Sequence, residues 1–509
     1  MWIFLGSHSE RTNMTTLQRT NLSVPEKVDL AASFLALSGN YGEVTSLSKR
    51  FDVSRPTVYA AGESAALVLE DYFERDFRQS GGHWVWVDDA QMNRAIVALR
   101  VGSPTGIRPI EDLLPILYPG ISTPSYGTIQ AVLVEAEEKS ALFSRGVALS
   151  NLTNAALDEM FSQGDPVLAG VDLVSGYLFL LSLESSRKSD DWERVLTSGR
   201  DQGLDLKVVV KDAARGIASG VKAVFPEAEQ RDDCFHAVYA MGKVRRILER
   251  RALAAIAREI EAENKGSSDL DQKKAQSQAA MELHDSFERA MKDAQESMEF
   301  IDLASGQLRT SSEILNGIDA ASAKIIALSD SGCVKVGTYI KNRALGLSLY
   351  MDELNQKFSL LGNQFGRSAV LLSATIWRLA FDLEKNQRPW LRTTYEKRLM
   401  EAYHELHHIA GEQRDEVLIS VRRILDKRFR ASSAIEGFNA ALRPHLYVHK
   451  GVSQGFLNLF QAYFNLRTRR WGRHKGTSAY EVMTGKKVDD WLSLLGYPPS
   501  KSPQLRVVC

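Results

Sequence analysis

Hydrophobic positions between residues 155 and 235 recur with the spacing of short strands. Three apolar runs come first, and they read AALDEMF, PVLAGVD and YLFLLSLE. A tight turn at residues 174–176 separates the last two runs, and a helix with one apolar face follows them. A strand at Val208–Val210, a helix over about 213–224 and a short segment ending near Phe235 complete the region. The pattern predicts the order β-β-β-α-β-α-β, an antiparallel meander that leads into a parallel βαβ unit.

The rest of the chain has helical patterning. Residues 236–430 are rich in Ala, Leu, Glu, Lys and Arg and show no strand pattern, which predicts a large all-α insertion in the α/β core. From residue 433 to about 471 the pattern is again helical. We divide the chain into a tail (1–22), a helix-turn-helix domain (23–80), a second helix-turn-helix-like domain (90–147), the first part of the core (150–240), the insertion (241–430), the last part of the core (431–490) and a tail (491–509).

The stretch EVTSLSKRFDVSRPTVYAAGESA has the spacing of a helix-turn-helix. Leu47 and Phe51 provide an apolar face, residues 52–54 form the turn, and Ser54 caps a second helix that tolerates proline in its first turn. Side chains at the start of that helix would face outward and contact DNA. These are Arg55, Thr57 and Tyr59. A plain helical hairpin without a DNA role has the same pattern.

Two further segments have patterns that DNA binding would explain. Residues 95–145 contain a helix, a Pro-Gly break and a helix capped near Ser122 or Thr123, as a second helix-turn-helix or a structural connector would. The basic run from Arg467 to Lys475 would contact the DNA backbone or be a solvated helix end. Its candidate contact residues are Arg469, Arg470 and Arg473.

Composition narrows the class of protein. A chain of 509 residues with 44% hydrophobic and 25% charged residues is globular and long enough for three or more domains. Its 63 basic and 63 acidic residues cancel, so any attraction to nucleic acid must come from local basic faces. Its 3 cysteines are far apart and form no CxxC, which argues against disulfides and a zinc knuckle. We expect a cytoplasmic protein with no membrane segment.

Two carboxylates in the strand region indicate metal chemistry. Alternation along the first strand puts Asp158 on one face and Glu159 on the other. If that strand lies parallel to Val208–Val210, Asp158 approaches Asp212 at the end of the neighbouring strand. Two carboxylates that close repel each other unless a cation lies between them, and Mg²⁺ prefers such oxygen ligands. Asp212 could instead cap the following helix, and Asp158 could be a solvated strand residue.

A third acid is available on a later helix. The stretch SSAIEGFNAALRPH contains Glu436, with Asn439 at i+3 and Arg443 at i+7 on the same face. A carboxylate, an amide and a guanidinium in one row suit metal ligation beside a phosphodiester. Ser433 and Glu436 also have the spacing of a capping box, which needs no catalysis. Asp172 is a competing acid, which we interpret as a turn residue.

In order and context the three acids resemble those of the DDE transposases, whose catalytic core is ribonuclease H-like. That family has one Asp on the first strand, one just after the fourth and a Glu on a later helix, which Asp158, Asp212 and Glu436 match. QRDDCFHAV resembles the D-x-x-H motif of Mutator-like transposases, with Asp233 and His236 in its two positions. The separation of 224 positions between Asp212 and Glu436 (436 − 212) fits the helical insertion of such relatives.

The resemblance implies a DNA transposase with a ribonuclease H-like fold that binds Mg²⁺ or Mn²⁺, as two ions, and holds them with the three acids. The accessory residues that it implies are His236, Asn439 and Arg443. The partners would be double-stranded DNA, as transposon terminal repeats and target, and further copies of the chain in a homodimer or larger assembly. We expect it on DNA in the cytoplasm or nucleoid. A domesticated, non-catalytic DNA-binding regulator and a nuclease without strand transfer are the alternatives.

Overall fold

The protein divides into two compact units, Met1–Trp86 and Val87–Cys509. The structure is a computed structural model, and the residues it describes are 21–37, 41–74, 87–212, 214–430, 433–448 and 451–500. Most of the predicted tail at 1–22 and the last nine positions of the tail at 491–509 lie outside these ranges. The described part of the first unit contains α1 (Val24–Leu35), α2 (Glu43–Arg50) and α3 (Arg55–Glu74).

A small apolar core holds the first unit together. Its buried members are Leu30, Leu47, Val53 and Val58. Between α2 and α3 the chain turns sharply, with Asp52 in the left-handed region at φ 52°. Ser54 then accepts a 3.3 Å hydrogen bond from the Thr57 backbone N–H and so caps α3. Two helices joined by a short turn result, and Arg55, Thr57 and Tyr59 are exposed on the first turns of α3.

The second unit is built on a mixed sheet. The described strands of this sheet are β1 (Asn154–Ser162), β2 (Asp165–Asp172), β3 (Leu178–Leu183), β4 (Val208–Lys211) and β5 (Glu229–Asp232). They lie in the order β3-β2-β1-β4-β5. β2 is antiparallel to both its neighbours, and β4 is parallel to β1 and β5. The predicted meander and the predicted parallel unit are therefore both present, and they share the central strand β1.

Helices cover both faces of the sheet because β1 is apolar on both sides. The connecting helices are α7 (Ser189–Asp201) and α8 (Arg215–Val224). On their face, Leu157 of β1 belongs to a core that contains Trp192 and Ile217. On the opposite face, Ala156 and Met160 belong to a second core, formed with helices from the two ends of this unit. Alternate residues of β1 therefore serve two different cores.

The helices that precede the sheet pack into the second of these cores. They are α4 (Asp89–Gly102), α5 (Ile107–Leu117) and α6 (Tyr126–Arg145). Ile129 of α6 is fully buried in this core. The helix begins after Ser125, and the predicted start near Ser122 or Thr123 is wrong. Thr123 precedes Pro124, and a residue before proline is pushed towards the extended region, so the helix starts later.

The insertion consists mainly of helices around their own core. They are α9 (Cys234–Lys265), α10 (Leu270–Ser297), α11 (Ser311–Ala327), α12 (Ser331–Lys341), α13 (Ala344–Ser348), α14 (Tyr350–Phe365), α15 (Arg367–Lys385), α16 (Pro389–Ala410) and α17 (Arg414–Leu425). The helices are interrupted by a short antiparallel hairpin of two strands of two residues each, β6 (Ile301–Asp302) and β7 (Gln307–Leu308). The all-helical prediction did not include this hairpin. The Asp302 side chain accepts a 2.9 Å hydrogen bond from the Ala304 N–H and so favours this turn.

The two ends of the insertion meet beside β5. The Cys234 N–H donates to the Arg430 carbonyl at 3.0 Å, and the Arg231 guanidinium donates to the Phe429 carbonyl at 3.2 Å. Arg430 in turn pairs with Glu299 of the insertion at 2.9 Å. The chain therefore returns to the edge of the sheet immediately before the helix that carries Glu436. A large insertion is in this way compatible with close approach of residues on either side of it.

The last part of the chain completes the second unit. Its helices are α18 (Ser433–Val448), α19 (Gln454–Leu466), α20 (Ala479–Thr484) and α21 (Trp491–Leu494). Residues 491–500 are not the tail that was predicted, because Leu492, Leu495 and Tyr497 are apolar side chains buried in the core. Within the described ranges, no helix combines the length and the hydrophobicity needed to cross a bilayer.

Candidate metal centre

Asp158 is a buried carboxylate in the middle of β1, with 7% of its surface exposed. Its Oδ1 accepts a 2.8 Å hydrogen bond from the Glu159 backbone N–H, and its Oδ2 accepts one of 2.6 Å from the Asn439 side-chain amide. Burial raises the pKa of Asp158 from 3.8 to about 6, and these two hydrogen bonds oppose the rise only in part. A cation beside this carboxylate would stabilise its charged form.

His236 faces Asp158 from the first turn of α9. Asp233 caps that helix: its Oδ1 accepts from the Phe235 N–H at 2.6 Å, and its Oδ2 lies 2.9 Å from His236 Nδ1. The hydrogen bond to Asp233 raises the pKa of His236 to about 9, so the imidazole is cationic at neutral pH. The D-x-x-H segment is thus a helix cap that positions an imidazolium.

Glu436 completes the group from the first turn of α18. Its Oε1 lies 3.6 Å from His236 Nε2, and its side chain is 23% exposed. One ligand atom each from Asp158, His236 and Glu436 can be chosen so that all three lie within 4.8 Å of one another. Carboxylate oxygens around such a space are the donors that Mg²⁺ and Mn²⁺ prefer. The two carboxylates therefore fit a divalent ion, and the His236 imidazole lies beside them.

Asp212 lies at the edge of this group, at the C-terminal end of β4. Its Oδ1 accepts a 2.8 Å hydrogen bond from the Ala214 N–H, which turns the side chain towards the start of α8. Its negative charge also raises the pKa of Asp158. Asp212 is not among the mutually close ligand atoms, whereas His236 is. Asp212 therefore bonds to the backbone at the start of α8 and also lies near Asp158. Of the three expected acids, Asp158 and Glu436 belong to the group of close ligand atoms and Asp212 does not.

Asn439 and Arg443 share a face of α18 with Glu436. Asn439 is fully buried, and among the described residues no donor reaches its Oδ1. Such an unused buried acceptor is costly unless a ligand, ion or water completes it. Arg443 lies 3.9 Å from Glu436 and is 51% exposed, which leaves most of its donors available.

The competing acid Asp172 makes contacts that stabilise the turn between β2 and β3. It is buried, and its Oδ2 accepts hydrogen bonds of 2.6 Å from both the backbone N–H and the hydroxyl of Ser175. Its own carbonyl accepts from the Gly176 N–H at 2.9 Å, which closes the β2–β3 turn. These contacts agree with its interpretation as a turn residue.

The basic run is divided between structural and exposed side chains. Arg469 donates to the Ser175 carbonyl and is half-buried against the β2–β3 turn. Arg473 is exposed and donates to the Asp426 carbonyl at 3.1 Å. Arg470 is exposed, as is the neighbouring Trp471 at 78%. Of the three DNA contacts predicted in this run, Arg470 and Arg473 have the exposure that such a role needs, and Arg469 helps to hold the turn.

Sequence reasoning missed a cleft on the other face of β1. Glu159 lies there, paired with Arg187 at 3.0 Å and with the Trp192 indole N–H at 3.1 Å. The cleft has a volume of about 760 Å³, and Arg187, Lys188, Arg215 and Asp212 are among its lining residues. The sequence signal was weak, because these basic residues are separated along the chain and converge only through the packing of α7 against α8.

No protein-family model matches the chain, and no curated protein matches it. Among solved structures, it is similar to one described as the Drosophila P element transposase strand transfer complex, with 13% sequence identity. The match covers 72% of this chain and 99% of that chain, with a TM-score of 0.31. At that TM-score the likeness assigns neither a fold nor an activity to the protein.

Proposed function

We propose that this protein is a DNA transposase of the DDE type, which uses Mg²⁺ or Mn²⁺ at Asp158, Asp212 and Glu436 to cleave and join DNA strands. The observation that carries the proposal is the approach of Asp158 and Glu436, one from a central strand and the other from beyond a long insertion, to a single group of ligand atoms. Carboxylates placed in this way repel each other, and a bound cation relieves the repulsion.

The topology of the sheet supports a ribonuclease H-like core. In the order β3-β2-β1-β4-β5, β2 alone runs antiparallel to the other strands. Asp158 stands on β1, and Asp212 directly follows the adjacent parallel strand β4. A DDE-type core requires its first two acids at these two places.

The roles of the side chains follow from their environments. Bound Mg²⁺ would activate the attacking oxygen and stabilise the leaving oxygen of an in-line displacement. Asp158 and Glu436 would hold it through their carboxylate oxygens, and Asp212 would join them by exchanging its hydrogen bond to Ala214. Asn439 orients Asp158 through the 2.6 Å hydrogen bond.

Basic side chains around the group would hold the DNA backbone. Arg443 has exposed guanidinium donors that suit a phosphate. Arg187, Lys188 and Arg215 line the cleft beside Asp212, on the face of β1 opposite Asp158, where they would neutralise the phosphates of a DNA strand that leaves the site. Arg470 and Arg473 form a further exposed basic surface.

The first unit would recognise the terminal repeats through the exposed start of α3. The residues that would contact DNA there are Arg55, Thr57 and Tyr59. Two copies of the chain would bring two transposon ends together, and the protein would work on the DNA of the nucleoid.

A strand-transfer assay tests the proposal. The substrates are duplexes from the two flanks of the coding sequence, cut to expose 3′-hydroxyls, with a supercoiled plasmid as target. We expect joined products that require Mg²⁺ or Mn²⁺ and are absent with Asp158→Asn. Cleavage without joining would indicate a nuclease instead. DNA binding with neither step would indicate a non-catalytic regulator, and failure to bind DNA would overturn the proposal.

A further inference from the structure

Two histidines on α16 of the insertion approach each other outside the carboxylate group. His404 and His408 are one helical turn apart, and their Nε2 atoms are separated by 3.1 Å. The two rings are nearly perpendicular at 89°, with centroids 4.4 Å apart. Both side chains are exposed, whereas Ala402 and Leu406 face the core from the same helix. A ligand could therefore reach the pair without any opening of the core.

The separation of the two nitrogens suits chelation of a single ion. With Zn–N bonds of about 2.0–2.1 Å, two nitrogens 3.1 Å apart subtend an angle of roughly 100° at the metal. That angle lies between the octahedral and tetrahedral values. We propose that His404 and His408 form a surface site for a divalent transition ion of the Zn²⁺, Ni²⁺ or Cu²⁺ class. Mg²⁺ would not compete, because it prefers oxygen ligands.

The proposed site has two protein ligands and therefore differs from the zinc sites of metallohydrolases. The segment reads HELHH, which has the H-E-x-x-H spacing known from zinc sites on helices. Catalytic zinc sites have three protein ligands. Among the described residues, no His, Cys, Asp or Glu offers a third ligand atom within 4.8 Å of both histidines. Water would fill the other positions, and the ion would link two successive turns near the end of α16.

Nickel titration of the full-length, untagged protein tests this site. The protein is freed of metal with a chelator, and Ni²⁺ is added in saturating Mg²⁺ so that the carboxylate group is occupied. We expect wild type to bind one more Ni²⁺ per chain than a His404→Ala/His408→Ala variant, and each single variant to bind that ion at least tenfold more weakly. His407→Ala is the matched control, since the His407 ring centroid is 6.1 Å from that of His408.

The thermal midpoint provides a second readout. All three histidines are exposed, so the metal-free variants should unfold at the wild-type temperature. Ni²⁺ should raise the midpoint of wild type and of His407→Ala more than that of the double variant. Equal stoichiometry and affinity in the double variant and wild type would overturn the proposal, as would an equal loss in His407→Ala.

Discussion

The carboxylate of Asp158 accepts a 2.6 Å hydrogen bond from the side-chain amide of Asn439, a residue 281 positions later in the chain. This bond joins the central strand β1 to helix α18 across the whole insertion. It holds one oxygen of Asp158 in a fixed direction and leaves Asn439 Oδ1 as a buried acceptor beside it. The bond therefore links the orientation of one proposed metal ligand to the placement of the helix that carries another.

Replacing Asn439 with alanine should change the pH dependence of metal binding. The hydrogen bond from Asn439 lowers the pKa of Asp158, so its loss raises that pKa further above 6. The pH at which Mn²⁺ binding is half-maximal should move upwards, and cleavage at neutral pH should fall by about tenfold or more, as expected for one hydrogen bond to a charged group. Asn458→Ala on α19, which removes a 2.8 Å contact with Gln454, is the control. An unchanged pH profile in Asn439→Ala would show that the bond has no such role.

Asp158→Asn should stabilise the metal-free protein while abolishing cleavage. Burial raises the pKa of Asp158 from 3.8 to about 6, so its contribution to stability is full below about pH 4 and is lost as the pH rises through about 6. At pH 8 the variant should gain up to about 3 kcal/mol in the free energy of unfolding. This gain requires the Asn439 amide to rotate so that its Oδ1 accepts from the NH2 of the new side chain. Denaturant titration with and without Mg²⁺ measures this effect.

The same titration has a matched control in Asp172→Asn. Asp172 is also buried, but its contacts are those of the β2–β3 turn. Mg²⁺ should stabilise wild type and Asp172→Asn and leave Asp158→Asn unchanged. If metal-free Asp158→Asn were less stable than wild type at pH 8, burial of the ionised Asp158 carboxylate would not destabilise the protein as predicted.

Asp212→Asn should separate DNA binding from catalysis. The asparagine keeps an oxygen that can accept from the Ala214 N–H, so entry into α8 should be preserved. DNA affinity should stay within about twofold of wild type, and cleavage with Mg²⁺ should be undetectable. Asp190→Asn, which changes another acid of the same cleft, should cleave normally. Normal cleavage by Asp212→Asn would show that Asp212 serves only to hold the start of α8.

Arg55→Ala should weaken DNA binding in a salt-dependent way. Arg55 is exposed at the start of α3, where a backbone contact would release about one counterion. The slope of log affinity against log salt concentration should fall by about 1 in the variant. Lys27→Ala on α1 removes an exposed positive charge from the same unit and should leave the slope unchanged. Equal slopes for Arg55→Ala and wild type would exclude this surface from the DNA interface.

The face of β1 on which Asp158 lies was predictable because it depends on simple periodicity. Alternation along β1 puts Asp158 and Glu159 on opposite faces, and the order of the strands brings β4 beside β1. Local rules of this kind require no knowledge of how the insertion folds. The approach of Glu436 was expected only from the resemblance to the DDE transposases, because no local pattern places α18 beside β1.

The fine structure of the site depended on packing that no local pattern encodes. The charge of His236 comes from its contact with Asp233, and the direction of Asp212 comes from its bond to Ala214. The pairing of Asn439 with Asp158 needs α18 to return beside β1, which the contact between Cys234 and Arg430 helps to secure. A weak apolar pattern also concealed the helix at 491–494, whose burial is visible only in the folded core.

Anomalous diffraction from crystals grown with Mn²⁺ tests the central claim most directly. We predict a Mn²⁺ ion bonded at about 2.0–2.2 Å to oxygens of Asp158 and Glu436, with the Asp212 carboxylate turned towards it and away from Ala214. His236 should then have left its contact with Glu436. A group that stays free of metal at saturating Mn²⁺, with His236 still beside Glu436, would contradict a shared metal centre at these residues.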